Sequence, residues 1–255
     1  MYSLRTRSTW KTYLLVLFTA LPSHLIAAPN AEHTGKSAAI RDSHTTFVTF
    51  DATALRPGKF TYQLSIKGET IGLATIEIRA TDSGEYKIAF ASKDIEQSWS
   101  SSLGRHFNPL EAQLDMSNGK DLYSMSIHYS EGEATGTESA KGAVTPFAAT
   151  FDKQVVDQRV DWAAMMAAEF SKGGTVEFYV FDPSSALSRL NGTSAETLPL
   201  RSVLGVVPTV RLDYTIHKNS HEESYAVFAT KEQPRVMLRE EMPGGLVSVL
   251  IAIED

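Results

Sequence analysis

The chain has 255 residues, of which 42% are hydrophobic and none is cysteine, and its formal net charge is −6. Without cysteine there are no disulfide bonds and no N-terminal cysteine to carry a lipid, so stability must come from a hydrophobic core. An acidic chain has no electrostatic attraction for nucleic acid or anionic lipid, which excludes both as primary partners.

The first residues have the three parts of a secretory signal. Arg5, Arg7 and Lys11 form a basic start, residues 13–21 form a short apolar core, and a proline and small residues follow. This apolar core is too short to cross about 30 Å of hydrocarbon, which favours a cleaved signal over residues 1–27 above an uncleaved anchor. We therefore expect a periplasmic or secreted protein with no membrane span after cleavage.

Signal cleavage removes three positive charges and changes the formal charge from −6 to −9. Residues 28–45 are polar and without periodicity, which predicts a flexible leader. Residues 46–255 are then expected to form a single β-barrel-like domain, long enough to bury on the order of 70% of its unfolded surface.

Apolar and polar residues alternate in three successive segments, residues 60–66, 71–78 and 86–90. Alternation of period two predicts half-buried strands, and the short turns between them predict a three-stranded meander. The apolar phase changes at Gly72, which predicts a β-bulge there.

Residues 109–115 and 123–130 flank the turn at 117–120 and predict a further hairpin. The Gly-, Ala- and Thr-rich stretch that follows, up to Pro146, is interpreted as a loop or a weak edge strand.

One helix interrupts the strands. Asp161 is placed to cap a helix over residues 162–170, and the glycines at 173 and 174 are placed to end it. Four large apolar residues fall on one side of this helix and are expected to pack on the sheet: Trp162, Met165, Met166 and Phe170.

The later strands are predicted at residues 176–181, 209–217, 224–229, 235–240 and 246–253. The last is almost continuously apolar, which is typical of a central strand covered on both faces. About ten strands, short connections and one helix favour an all-β fold: a curled antiparallel sheet or open β-barrel with the helix packed against it.

Candidate chemical residues are few and lack partners. His217 and His221 flank a short turn, but two ligands do not make a metal site. The serines at 98–102 lack a nucleophile motif or a marked base and are interpreted as a linker or strand edge. Glu240 and Glu241 are expected to form structural salt bridges. No catalytic residue, metal site or cofactor is predicted.

Asn191-Gly192-Thr193 matches a glycosylation acceptor but is interpreted as a turn. Aromatic residues of the alternating strands give the one candidate site with architectural support. If the sheet curls without closing tightly, their inward faces line an apolar cavity, whereas in the alternative they fill the core. The deciding observation is whether an apolar pocket of roughly several hundred Å³ stays open. The tentative lining residues are Tyr62, Phe90, Tyr129, Phe178, Tyr214 and Phe228.

Several segments resemble the domain-of-unknown-function 3108 family of exported bacterial proteins. They are Gly58–Tyr62 with Ile71–Ala74, Phe107–Leu110, Asp161–Met166, Tyr225–Phe228, Pro234–Glu240 and Pro243–Leu246. The resemblance spans about residues 57–253 and implies a periplasmic all-β domain similar to the curled sheets of lipocalin-like and lipoprotein-carrier proteins. It implies no catalytic residue. The missing lipobox cysteine departs from lipoprotein carriers and argues against membrane anchoring.

The sequence favours a non-catalytic exported protein that binds an apolar or amphipathic envelope molecule or a partner protein. One alternative is a hydrolase of envelope glycans or esters, for which His128, His217 and Glu240 are the residues to test. Another is a structural subunit of an envelope complex that pairs through an edge strand.

Overall fold

A computed structural model describes residues 48–119, 121–172, 174–219 and 221–254. The predicted signal (1–27) and leader (28–45) lie outside the described residues. In the described part the chain forms one sheet of fifteen strands.

The first eight strands are β1 (Gly58–Ile66), β2 (Glu69–Ala80), β3 (Tyr86–Ser92), β4 (Gln97–Leu103), β5 (Pro109–Asn118), β6 (Asp121–Ser130), β7 (Glu133–Ala140) and β8 (Ala143–Thr150). The remaining elements are β9 (Val155–Asp157), helix α1 (Asp161–Ala167), β10 (Thr175–Asp182), β11 (Ala186–Ser202), β12 (Gly205–His217), β13 (Glu222–Thr230), β14 (Met237–Met242) and β15 (Leu246–Glu254).

The strand order is simple: apart from β8 and β9, strands that follow each other in the chain lie side by side, and β1 pairs with β15 in the interior of the sheet. Every pairing is antiparallel except that of β9 with β10. Strands β8 and β9 lie at the two edges. The sheet is therefore open rather than a closed barrel, which confirms the all-β fold in its curled, open form.

The meander of β1, β2 and β3 confirms what the alternating pattern predicts. The pairing of β1 with β2 shifts register between Leu64 and Ser65, opposite Gly72, so the predicted bulge is also present. Asp94 lies against this bulge and accepts a hydrogen bond from the Leu73 N–H over 2.8 Å. A Cβ at position 72 would overlap Asp94, which explains the glycine.

The serine-rich segment 98–102 is a full strand, β4, paired with β3 on one side and β5 on the other. The interpretation as a linker or strand edge was wrong. Ser101 and Leu103 are buried while Ser98 is exposed, so the strand alternates faces. Its serines give little hydrophobic contrast, which hides this alternation in the sequence.

The stretch up to Pro146 is β7 and the start of β8 rather than a loop, and β8 is the edge strand that the alternative interpretation expected. Residues 191–193 lie inside the seventeen-residue strand β11 rather than in a turn. In both regions small and polar residues form strands because neighbouring strands pair with their backbones.

Helix α1 is shorter than predicted and is buried on every side. It ends at Ala167 because Ala168 is extended and forms a bridge with Phe50. Phe170 therefore lies beyond the helix. The segment 48–55 covers the face of α1 that the sheet leaves open, and Asp51 N–H donates to the Ala167 carbonyl over 3.1 Å.

Strand β15 is in the interior of the sheet, as predicted, but only one of its faces is covered. Leu246, Ser248 and Leu250 are buried, whereas Val249 and Ile251 are each 38% exposed. The prediction that both faces of this strand are covered, which was based on its continuous apolar run, was wrong.

The curl brings the two ends of the sheet together. The rings of Tyr129 in β6 and Phe181 in β10 pack edge to face at 6.2 Å, and they belong to a second apolar cluster between these ends. The larger core surrounds α1 on the concave side of the sheet. A cavity remains between the start of the helix, strands β1 to β5 and strands β13 to β15.

Candidate functional site

The concave face of the sheet encloses a cavity of about 140 Å³ beside the start of α1. It is smaller than the several hundred Å³ of a typical ligand pocket, yet it is not filled by side chains. Its apolar wall consists of Tyr62, Leu64, Ala74, Ile76, Phe90, Ile95, Trp99, Leu114, Trp162, Met242 and Leu246.

Aromatic rings shape this apolar wall. Phe90 in β3 and Trp99 in β4 stack with ring centroids 5.6 Å apart. The hydroxyl of Tyr62 donates to the Met237 carbonyl over 3.0 Å. Since that hydroxyl already has its partner, Tyr62 contributes an apolar ring to the cavity.

Asp161 lies at the polar end of the cavity, at the first residue of α1. Its Oδ1 accepts hydrogen bonds from the Trp162 N–H over 2.5 Å and from the Tyr214 hydroxyl over 3.1 Å. Burial raises the pKa of Asp161 to about 7, although both hydrogen bonds act to lower it. The carboxyl therefore exchanges its proton near neutral pH.

Glu240 in β14 lines the same end of the cavity and is 8% exposed. The pKa of Glu240 is raised to about 8, mainly by burial and to a smaller extent by the negative charge of Asp161. Among the described residues its carboxyl has no hydrogen-bond or ion-pair partner. Ser248 is its cross-strand neighbour in β15, and the buried Ser248 hydroxyl also lacks a partner there.

A third acidic group of the cavity, Glu223 in β13, has hydrogen-bond and ion-pair partners. It accepts hydrogen bonds from Tyr225 over 2.8 Å and pairs with Lys218 at 2.8 Å and with His221 at 2.9 Å. Burial alone would raise the pKa of Glu223, but these partners outweigh burial and lower it. Glu223 therefore stays ionised and neutralises Lys218.

Arg159 also lines the cavity and forms a buried ion-pair network. Its Nη2 lies 2.5 Å from Asp157 Oδ1 and its Nη1 lies 3.3 Å from Asp182 Oδ2. Burial raises the pKa of Asp157, and the charge of Arg159 offsets only part of that effect. Asp157 is fully buried, so Arg159 is its essential counter-charge.

The structure brings only two of the six predicted aromatic residues to the cavity, Tyr62 and Phe90. Tyr129 belongs to the second cluster, and Phe178 packs edge to face on Phe50 at 5.1 Å within the main core. Tyr214 acts behind the wall through its hydrogen bond to Asp161. The ligand-binding role assigned to these residues stays a prediction.

Phe228 lies away from the cavity, between two arginines. Its ring centroid is 5.4 Å from Cζ of Arg211 and 6.0 Å from Cζ of Arg239, its cross-strand neighbours. Arg211 is exposed, so this side chain belongs to the outer face of the sheet. The inward placement of Phe228 was therefore wrong.

The sequence did not place in the cavity the two acids that define its polar end, Asp161 and Glu240. Asp161 was interpreted only as a helix cap, whereas Val160 is at the cap position and Asp161 is the first residue of α1. Glu240 was expected to form a structural salt bridge and was named as a residue to test only for the hydrolase alternative. In the structure Glu241, not Glu240, makes the ion pair, at 2.7 Å with Arg239. A signal was available, because Glu240 shares its strand face with Leu238, which is buried.

The histidines of the predicted turn each pair with a glutamate: His217 with Glu222 at 2.8 Å and His221 with Glu223 at 2.9 Å. Across the described ranges, no group of three or more His, Asp or Glu side chains is arranged to hold a metal ion. Within the same ranges, no helix is both long and apolar enough to span a membrane.

Comparison with known proteins gives one match. No curated protein and no solved structure matches the chain. Residues 61–251 match the family described as "Protein of unknown function (DUF3108)", and this range runs from β1 to β15 and contains every cavity residue named above. The chain belongs to the DUF3108 family.

Proposed function

We propose that this is an exported, non-catalytic protein that binds an amphipathic molecule in the cavity on the concave face of the sheet. The observation that carries the proposal is the cavity itself: an apolar, partly aromatic wall ends at the buried carboxyl of Glu240, which has no partner among the described residues. An apolar wall with a few polar groups at one end suits a ligand with an apolar body and a polar head.

The volume limits the buried part of the ligand. A cavity of roughly 150 Å³ in another protein holds a benzene molecule, so 140 Å³ accommodates an apolar group of about six carbons. Longer acyl chains would have to extend beyond the cavity or widen it.

Tryptophan fluorescence tests this proposal directly. The chain has three tryptophans: Trp10 lies in the predicted signal, and both Trp99 and Trp162 line the cavity. The exported protein, purified after processing, is titrated with six-carbon amphiphiles and with an envelope lipid extract. Native mass spectrometry then reports any retained ligand and, from the mass, whether the signal is removed.

We expect ligand addition to shift the tryptophan emission. Ala74→Leu places a larger side chain in the cavity and should reduce the binding affinity obtained from this shift at least tenfold. Ala91→Leu, at an exposed position in the neighbouring strand β3, should leave the affinity unchanged. An unshifted emission spectrum with every compound, together with only the apo mass, would rule out ligand binding.

A second candidate function is acid–base catalysis on an envelope ester or glycan. It is favoured by two buried carboxyls in one cavity, Asp161 and Glu240, whose pKa values are raised to about 7 and about 8. Turnover on an ester and glycan panel that disappears in Glu240→Gln would support it. Of the histidines considered from the sequence, His128 is exposed and lies 4.0 Å from Glu111, and His217 pairs with Glu222.

A further inference from the structure

We propose that the polar end of the cavity recognises a protonated primary amine on the ligand. The inference rests on the proposed binding function and specifies the chemical class of the ligand head. Three features of the described residues support it: the charge balance of the cavity, the hydrogen-bonding groups that remain unused, and the aromatic wall.

The cavity has more carboxyls than cations, and its cations are already paired. Arg159 is held by Asp157 and Asp182, and Lys218 lies 2.8 Å from Glu223. Two lining carboxyls, those of Asp161 and Glu240, have no ion-pair partner among the described residues, although the charge of Lys218 acts to lower the pKa of Asp161. A buried carboxylate is stabilised strongly by a cation, so a positively charged ligand head supplies what these two groups lack.

The unused hydrogen-bonding groups at this end are acceptors of the kind that an ammonium group needs. Glu240 has no partner, the hydroxyl oxygen of the buried Ser248 has none, and only one carboxylate oxygen of Asp161 is used. Glu240 and Ser248 face each other across β14 and β15. An alkylammonium group has three N–H donors, which matches these three acceptor side chains.

Other head groups fit less well. A carboxylate or phosphate finds no unpaired cation at this end of the cavity, and its charge opposes ionisation of Asp161 and Glu240, so these acids would have to stay protonated when it binds. A hydroxyl can donate only one hydrogen bond and carries no charge. The rings of Trp162, Tyr225 and Tyr62 line the cavity as well and favour a cation further.

The acids facing the head group would titrate on binding. An ammonium group stabilises the ionised forms of Glu240 and Asp161, so amine binding should release protons at pH 7. The other charged groups at the cavity, Arg159, Asp182, Lys218 and Glu223, are held in ion pairs and should keep their charges.

The test compares three probes with the same six-carbon chain: hexylamine, hexanol and hexanoate. Binding to the processed protein is followed by tryptophan emission and by calorimetry at pH 7. We expect hexylamine to bind at least tenfold more tightly than the other two, with proton release in buffers of different ionisation enthalpy. Glu240→Gln should reduce hexylamine affinity at least tenfold and leave hexanol affinity unchanged.

Glu241→Gln is the matched control, because Glu241 lies next in the chain, is only half-buried and pairs with Arg239. Circular dichroism confirms that each variant is folded, and Glu240→Met serves as a second variant. Equal binding of amine and alcohol, insensitive to Glu240→Gln, would overturn the amine inference and leave ligand binding intact. Absence of binding by all three probes and by the lipid extract would overturn both proposals.

Discussion

The hydroxyl of Tyr214 in β12 donates a hydrogen bond to Oδ1 of Asp161 over 3.1 Å, which ties the sheet to the first residue of α1. Both residues are buried. A hydrogen bond to a carboxylate favours its charged form, so this contact holds the pKa of Asp161 below the value that burial alone would produce.

Tyr214→Phe should therefore raise the pKa of Asp161 above about 7. The loss of one buried hydrogen bond should also cost roughly 1–3 kcal/mol of unfolding free energy. The pKa is measured from carboxyl NMR shifts against pH. Tyr225→Phe is the control. The ring centroids of Tyr225 and Tyr214 are 4.8 Å apart, but the Tyr225 hydroxyl donates its hydrogen bond to Glu223 rather than to Asp161. A pKa of Asp161 unchanged by Tyr214→Phe would contradict the assigned role of this hydrogen bond.

Glu240→Gln should make stability less dependent on pH. The folded-state pKa of Glu240 is about 8 and its ordinary value is 4.5, so between these values the folded state binds more protons than the unfolded state. Stability is therefore full below about pH 4.5 and falls as pH rises toward about 8. The raised pKa of Asp161 acts with the same sign between pH 3.8 and about 7.

The difference in Tm between Glu240→Gln and the unmodified protein should grow from pH 4.5 to pH 8, with the variant more stable at pH 8. Glu241→Gln, on the outer side, should show no such trend. A constant difference across this range would show that Glu240 is not held protonated by burial.

Arg159→Met should destabilise the protein by about 3–5 kcal/mol, because it leaves the fully buried Asp157 without its counter-charge. Denaturant unfolding measures this loss. The double variant Arg159→Met with Asp157→Asn should lose less than Arg159→Met alone, since it buries no unpaired charge. If the loss in the double variant equals the sum of the losses in the single variants Arg159→Met and Asp157→Asn, the two side chains are not energetically coupled.

Gly192 in β11 lies against Met165 of α1. A Cβ at position 192 would come within 2.7 Å of Met165 Sδ and 3.0 Å of a methyl group of Val176. Gly192→Ala should therefore cost roughly 1–3 kcal/mol through overpacking. Adding Met165→Ala should recover part of this loss in thermal unfolding, and a double variant less stable than either single one would argue against the contact.

Sequence periodicity predicted the strands whose buried face is apolar and whose outer face is polar. It failed for β4 and for the middle of β11, where Ser101 and Gly192 face the interior as small residues with little hydrophobic signal. Their strand structure depends on pairing with neighbours, which a local pattern cannot report.

The candidate site was harder to predict than the fold. Asp161 and Glu240 are far apart in the chain, and each has a familiar surface role in its local context. Their altered chemistry arises only when the curled sheet brings them to one cavity and removes water. Phe228 is the opposite case. Its aromatic side chain suggested a position inside the cavity, but its cross-strand neighbours, which include Arg211, lie on the outer face of the sheet.

The pairing of β1 with β15 has a consequence for how the chain folds. Strands β1 to β8 and strands β9 to β14 are joined within the sheet only through β15, the last strand in chain order. The two halves can therefore join by backbone hydrogen bonds only after β15 has been synthesised, and this pairing of strands far apart in the chain is of the kind that slows folding.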